Sequence, residues 1–150
     1  MSESTLNIIP QQPSFVPDVI NMLQAGEFLL TIFPDADNIH SETFDEIRFI
    51  DAGENFENIT CPSCGEEILM DWWSEAMGKA SESQFGNLDV RVPCCTEQTT
   101  LNNLTYHFPQ GFARCILSVT NPDVSEIDEQ TKSELEKILG CKLRIIFVHY

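Results

Sequence analysis

Apolar positions along the chain recur with two periods, and the switches between them divide it into elements. A polar leader punctuated by Pro10, Pro13 and Pro17 opens the sequence. Residues 17–26 then predict a short helix, with Pro17 at an early helical position, Val19, Met22 and Leu23 as its apolar face, and Gly26 to end it. Residues 46–53, EIRFIDAG, predict a strand leading to a turn. Over 68–80 the residues Leu69, Trp72, Trp73, Ala76, Met77 and Ala80 fall at helical spacing, which predicts an amphipathic helix. Its tryptophans are expected in a core or an interface, because apolar stripes on helices bury against neighbouring elements. Residues 81–87 read as a loop, 88–92 and 99–108 as strands on either side of a turn, and 111–119, GFARCILSV, as a stronger strand.

The tail has the clearest pattern. Pro122 and Ser125 mark a helix start, Val124, Ile127, Leu135, Ile138 and Leu139 supply a buried stripe, and Gly140 stops it. Residues 142–149, KLRIIFVH, make a last strand. The tail is thus a strand, helix, strand unit, with a right-handed crossover if its strands lie parallel. The expected fold is α+β, a mixed sheet with three helices, forming a single domain over 1–150 with a cysteine-bearing module over 59–99.

Inside that module two stretches echo each other. Under ITCPSCGEEI, 59–68, the stretch VRVPCCTEQT, 90–99, places Pro93 beneath Pro62, Cys95 beneath Cys64 and Glu97 beneath Glu66. A CxxC turn delivers two thiolates from one tight loop, as tetrahedral zinc requires, and Cys61 and Cys64 meet that demand. Pro62 stiffens the turn, and Gly65 can take the positive φ that follows the second cysteine. CPxCG between strand-like flanks resembles the knuckle of zinc ribbons and rubredoxin-like folds, which implies a metal-binding architecture and no particular activity. The second stretch departs from it: Val92 stands where the first cysteine would be, Cys94 takes the variable position and Thr96 replaces glycine. Cys95 is the expected third ligand. The fourth is Cys94, His107 or His40, or a water; adjacent cysteines on extended chain would point to opposite faces. A structural Zn2+ held by Cys61, Cys64, Cys94 and Cys95 is the expectation, with iron as the other metal. Cys115 alternates with the apolar residues of its strand and is expected to be buried, whereas Cys141 has no assigned role.

Charge narrows the function classes. Eight Lys and Arg against 24 Asp and Glu leave a net charge of −16, which repels phosphate backbones and anionic membranes. Eight of the acids lie within 33–58 against the single base Arg48, a candidate docking face for a basic protein partner. No apolar run reaches the roughly 20 residues of a membrane span, and the amino terminus lacks a signal-peptide pattern. The expected location is the cytoplasm, where six cysteines serve as ligands or buried residues rather than disulfides.

Catalytic patterns are incomplete. His40, Ser41 and Glu42 followed by Cys61 and Cys64 imitate the H-x-E, P-C-x-x-C signature of zinc deaminases, but Thr60 precedes Cys61 and proline lies inside the pair. A redox CxxC needs a helix amino terminus at its thiol, and here Gly65, Glu66 and Glu67 intervene. Asp35, Asp37 and Glu46 fit the first, third and twelfth places of a calcium loop, yet His40 stands where glycine makes the turn, so a solvated acidic loop is expected. Arg48, Arg91, Arg114 and Arg144 could bind a small anion if they converge; pairing of Arg114 and Arg144 with carboxylates is the plainer expectation. The sequence therefore points to a non-enzymatic, zinc-stabilised acidic protein acting through protein contacts, as an immunity or antitoxin-type inhibitor or an adaptor does. The alternative is a small metalloenzyme or thiol-redox protein using the cysteine site.

Overall fold

The computed structural model describes residues 3–53, 55–124 and 126–149. Four strands form the main sheet: β1 (Ser4–Pro10), β2 (Asn38–Ile50), β7 (Gly111–Thr120) and β8 (Leu143–His149), in the order β2-β7-β1-β8. Every ladder in it is antiparallel. β7 and β8 both run antiparallel to β1 and hence parallel to each other with β1 between them; β1 and β2 are likewise parallel across β7. Helix α1 (Val19–Ile32) joins β1 to β2, and α3 (Glu129–Leu139) joins β7 to β8. Two interlocked split β-α-β units of this kind make the ferredoxin-like arrangement, and the expected α+β class with its carboxyl-terminal strand, helix, strand unit is observed.

The leader is the largest departure from expectation, since Ser4–Pro10 is a strand in the middle of the sheet. Leu6 and Ile8 face the helices with Leu117, Val119, Met22, Ala25, Leu29, Leu135 and Leu139, while Ile9 joins Ile116, Ile146 and Val148 in a second buried cluster. Leu6 and Ile8 alternate with half-buried Thr5 and Asn7 for only one step before buried Ile9 and Pro10 interrupt the period, too short a pattern to read. Helix α1 begins at an N-cap, Asp18, whose carboxylate accepts from the Ile20 amide at 3.2 Å. It runs through Gly26, which costs a helix only about 1 kcal/mol, and ends at Phe33, before Pro34. Its buried side is Met22, Ala25 and Leu29, not Val19 and Leu23, which are 72% and 63% exposed.

Strand β2 starts earlier than predicted and absorbs the acidic segment, so the calcium-loop look-alike is largely extended chain rather than a loop. Its register against β7 shifts between Thr43 and Arg48, a bulge that leaves Asp45 and Glu46 exposed. Helix α3 starts later than predicted. Asp128 caps it by accepting from the Thr131 amide at 2.7 Å, while Asn121 and Asp123, both at positive φ, turn the preceding chain; Ser125 lies outside the described residues and Val124 is exposed. Gly140, at φ 76°, ends the helix as expected.

The segment between β2 and β7 carries the cysteines. It contains β3 (Ile59–Thr60), α2 (Met70–Glu82), β4 (Asp89–Arg91), β5 (Gln98–Thr100) and β6 (Thr105–Tyr106), with β3 paired to β6 and β4 to β5. The predicted strand over 99–108 is broken at 101–103 by a 3-10 turn, because the Leu101 amide donates to Leu88 O and Asn102 reaches across to Gln11 O and the Phe112 amide. A third apolar cluster, including Ile59, Ile68, Leu88, Val92, Leu101 and Tyr106, holds the segment together and meets β7 at Phe112. Trp73 faces this cluster: its ring lies 5.9 Å from both Phe49 and Phe56, and its Nε1 donates to the Tyr106 hydroxyl at 3.2 Å. That hydroxyl in turn donates to Leu101 O at 2.6 Å. The tryptophan helix thus serves its own chain's core.

Candidate metal centre

The two echoing stretches fold into matching knuckles. In the first, the Cys61 amide donates to Glu66 O at 2.8 Å and the Gly65 amide to Cys61 O at 3.0 Å; in the second, the Val92 amide donates to Glu97 O and the Thr96 amide to Val92 O, both at 3.1 Å. Gly65 and Thr96 both have positive φ, 80° and 60°. Each turn springs from an antiparallel pair, Thr60 opposite Glu67 and Arg91 opposite Gln98. Val92 therefore holds the backbone place of Cys61, and its side chain is buried in the third cluster, while Cys94 holds the place of Ser63.

The sulfurs of Cys61, Cys64, Cys94 and Cys95 all lie within 4.8 Å of one another. Cys61 Sγ is 3.7 Å from Cys95 Sγ, and Cys64 Sγ is 3.4 Å from Cys94 Sγ. Four thiolates at tetrahedral zinc bond lengths stand about 3.8 Å apart, so the quartet has the dimensions of a metal cage. Residues 93–95 form a turn rather than extended chain, which is how neighbouring cysteines aim at one point. Cys61 is buried and Cys95 partly so, whereas Cys64 and Cys94 are exposed.

Amide donors and crowding act on these thiols in opposite directions. The Cys64 amide, helped by the Ser63 amide at 3.4 Å from the sulfur, lowers the Cys61 thiol to about 6. Cys94 is pushed up to about 12 by lost hydration and by its hydrogen bonds to the Cys64 and Cys61 sulfurs. One thiolate forms readily, and its charge opposes the next. A cation at the centre is what would let several ionise together.

The other candidate ligands lie elsewhere. His40 and His107 are exposed and outside the sulfur cluster, and His40 pairs with Ser118 in the main sheet, so the deaminase-like constellation does not assemble. The sulfur contacts cross between knuckles rather than joining Cys61 to Cys64, and α2 begins only at Met70, so no helix terminus supports a redox thiol. Cys115 is buried, as expected, and all six cysteines are free thiols.

The arginines overturn the pairing expectation. Among the described residues neither Arg114 nor Arg144 has a carboxylate partner. Arg114 Nε donates to Phe44 O at 3.4 Å, and Arg144 Nη1 donates to Asn102 O, Asn102 Oδ1 and Gln110 O at 2.9, 3.0 and 2.9 Å. Arg48 sits over the Phe44 ring, 4.3 Å from its centroid, and Arg91 donates to Thr96 O. The Arg144 seat depends on Asn102 and Gln110, far away along the chain, and no sequence pattern marks it. Among the described residues no helix is long and apolar enough to cross a membrane. Comparison of the chain with protein-family models, with curated proteins and with solved structures finds no match.

Proposed function

We propose that this chain is an acidic binding protein whose cysteine segment is stapled by a structural zinc ion and which acts through contact with a basic protein partner. The observation that carries this reading is the uncovered side of α1, where Val19, Ile20, Leu23 and Leu30 are exposed while the opposite side is committed to the core. Such a patch on a strongly charged molecule marks an interaction site. Within α1 the sole ionisable residue is Glu27, and the chain just beyond its carboxyl end carries exposed Asp35 and Asp37. An apolar ridge with acidic surroundings suits a partner with an apolar strip and a basic border; a second copy would bring two strongly negative surfaces together. Immunity and antitoxin-type inhibitors work by this kind of contact with a basic enzyme, and an adaptor would use the same face.

Four gathered thiols are the closed ligand set of structural zinc, with no position left for a catalytic water. Iron fits the same cage. Elemental analysis of protein purified without added metal separates the possibilities: zinc bound one to one and lost in Cys95→Ser is expected, iron would replace zinc in the proposal, and metal-free folded protein would overturn it. For the docking face, a photo-crosslinking residue at position 23 is compared with one at position 79. The expected result is an adduct with a basic protein from position 23 alone, weakening as salt rises. Adducts from both positions, or none that respond to salt, count against that face.

A further inference from the structure

The Arg144 side chain is a partly buried cation with no ion-pair partner among the described residues, in a chain that has three acids for every base. Its Nη1 is saturated by the three oxygens of Asn102 and Gln110, both buried residues, which fixes the guanidinium plane. The seat is tight. A Cβ on Gly111 would stand 2.5 Å from Nη1 and 2.9 Å from Asn102 Oδ1, so glycine leaves room for this arrangement. Burial draws the Arg144 pKa below the ordinary arginine value, with the Tyr106 hydroxyl acting in the opposite sense. Nε and Nη2 have no acceptor among the described residues.

Arg144 lines a cleft of about 610 Å³ beside the edge strand β8. Ile127 and Phe147 line it too, as does Phe108, a residue held at φ 64° and 43% exposed, which is an uncommon conformation for an aromatic residue and one found more often where a site is built. Lys132 contributes a second cation, while Glu126 and Glu129 contribute negative charge. An immobilised guanidinium with a free Nε, Nη2 edge matches the two oxygens of a carboxylate. The apolar walls match a hydrocarbon or aromatic body, and the two glutamates disfavour a second negative charge on the ligand. We propose that this cleft binds a small monoanionic organic acid, its carboxylate forked on Arg144 and its apolar body against Phe108, Ile127 and Phe147.

The test uses the full chain and 3-phenylpropionate as probe, followed by nuclear magnetic resonance of the Arg144 Nε–H and of the backbone amides of Phe108 and Phe147. Saturable shifts at all three are expected, with 3-phenylpropionamide, the uncharged counterpart, binding at least about tenfold more weakly. Arg144→Lys keeps the charge and loses the fork, and should weaken the probe by a similar factor. Because Arg144 also ties the cysteine segment to β8, Lys132→Gln provides a second variant, expected to stay folded and to bind two- to threefold more weakly, roughly the effect of one solvent-screened charge. Shifts that do not saturate, equal binding of the amide, undiminished binding to a folded Arg144→Lys, or inorganic phosphate binding as well as the probe would each overturn the proposal.

Discussion

Val92 and Cys94 show how closely a side chain can be exchanged for its neighbour two positions on. Backbone hydrogen bonds put Val92 in the place of Cys61, yet the fourth sulfur comes from Cys94, at the place of Ser63. On the proposed metal staple, Cys94→Ser is expected to abolish metal binding, and adding Val92→Cys should restore it by completing a regular pair; metal content of the single and double variants checks this. Cys61, Cys64 and Cys95 were legible because the echo between the stretches fixes their places. The choice between Cys94 and a histidine was open, because it turns on a tight turn at 93–95 that spacing alone does not specify.

Tyr106 permits a prediction in pH. Burial pushes its phenol up to about 12, from 10.0, with the Trp73 donor and the Arg144 charge pulling down. The unfolded chain releases this proton first, so the stabilisation is complete below pH 10 and is lost as pH rises from there toward about 12, on the order of 2–3 kcal/mol in all. Tyr106→Phe leaves the Trp73 Nε1 without its acceptor and should cost about 1–3 kcal/mol at neutral pH. It should also flatten the alkaline decline relative to wild type, as read from urea midpoints across that range. Cys115, raised to about 12 from 9.0 by burial, adds a slope common to both proteins.

Among the elements, α1 is the one whose sequence and structure disagree in an informative way. Apolar residues occur nearly all round it, so periodicity could not say which side faces the core. Packing against the sheet selected Met22, Ala25 and Leu29, and left the side carrying Val19, Leu23 and Leu30 uncovered. Leu29→Ala should then cost about 2–5 kcal/mol by chemical denaturation, and Leu23→Ala no more than about 0.5 kcal/mol. The strand β1 was illegible because its pattern is short: Leu6 and Ile8 alternate with half-buried Thr5 and Asn7 for one step before Ile9 and Pro10 run together, whereas the strand over 111–119 is a long, nearly continuous buried run. The stop of α3 at Gly140 was legible because the left-handed cap depends on one residue; its start was not, because Asp128 competes with several other capping residues upstream.

At the scale of the molecule, a charge of −16 works against the compact state. Urea midpoints should rise as sodium chloride shortens the screening length from about 30 Å to about 10 Å. With a metal in the cysteine cage, as proposed, its removal by a chelator should act locally, loosening the surroundings of Trp73 and Tyr106 before the main sheet, whose two clusters include none of the four cysteines of the cage. Hydrogen exchange before and after chelation would show protection lost in β3 to β6 and kept in β1, β7 and β8.

Ile50 and Gly111 are partners on one rung of the β2, β7 ladder. Residues 51–110 therefore leave and rejoin the sheet at points only about 5 Å apart. Topologically they are an overgrown hairpin bend, and left slack they would cost about 3 kcal/mol more to close than a two-residue turn. The architecture is that of a cassette: a short turn in place of 51–110 would join the same two strand ends, at the cost of uncovering Phe112 and removing Ala52 from the core.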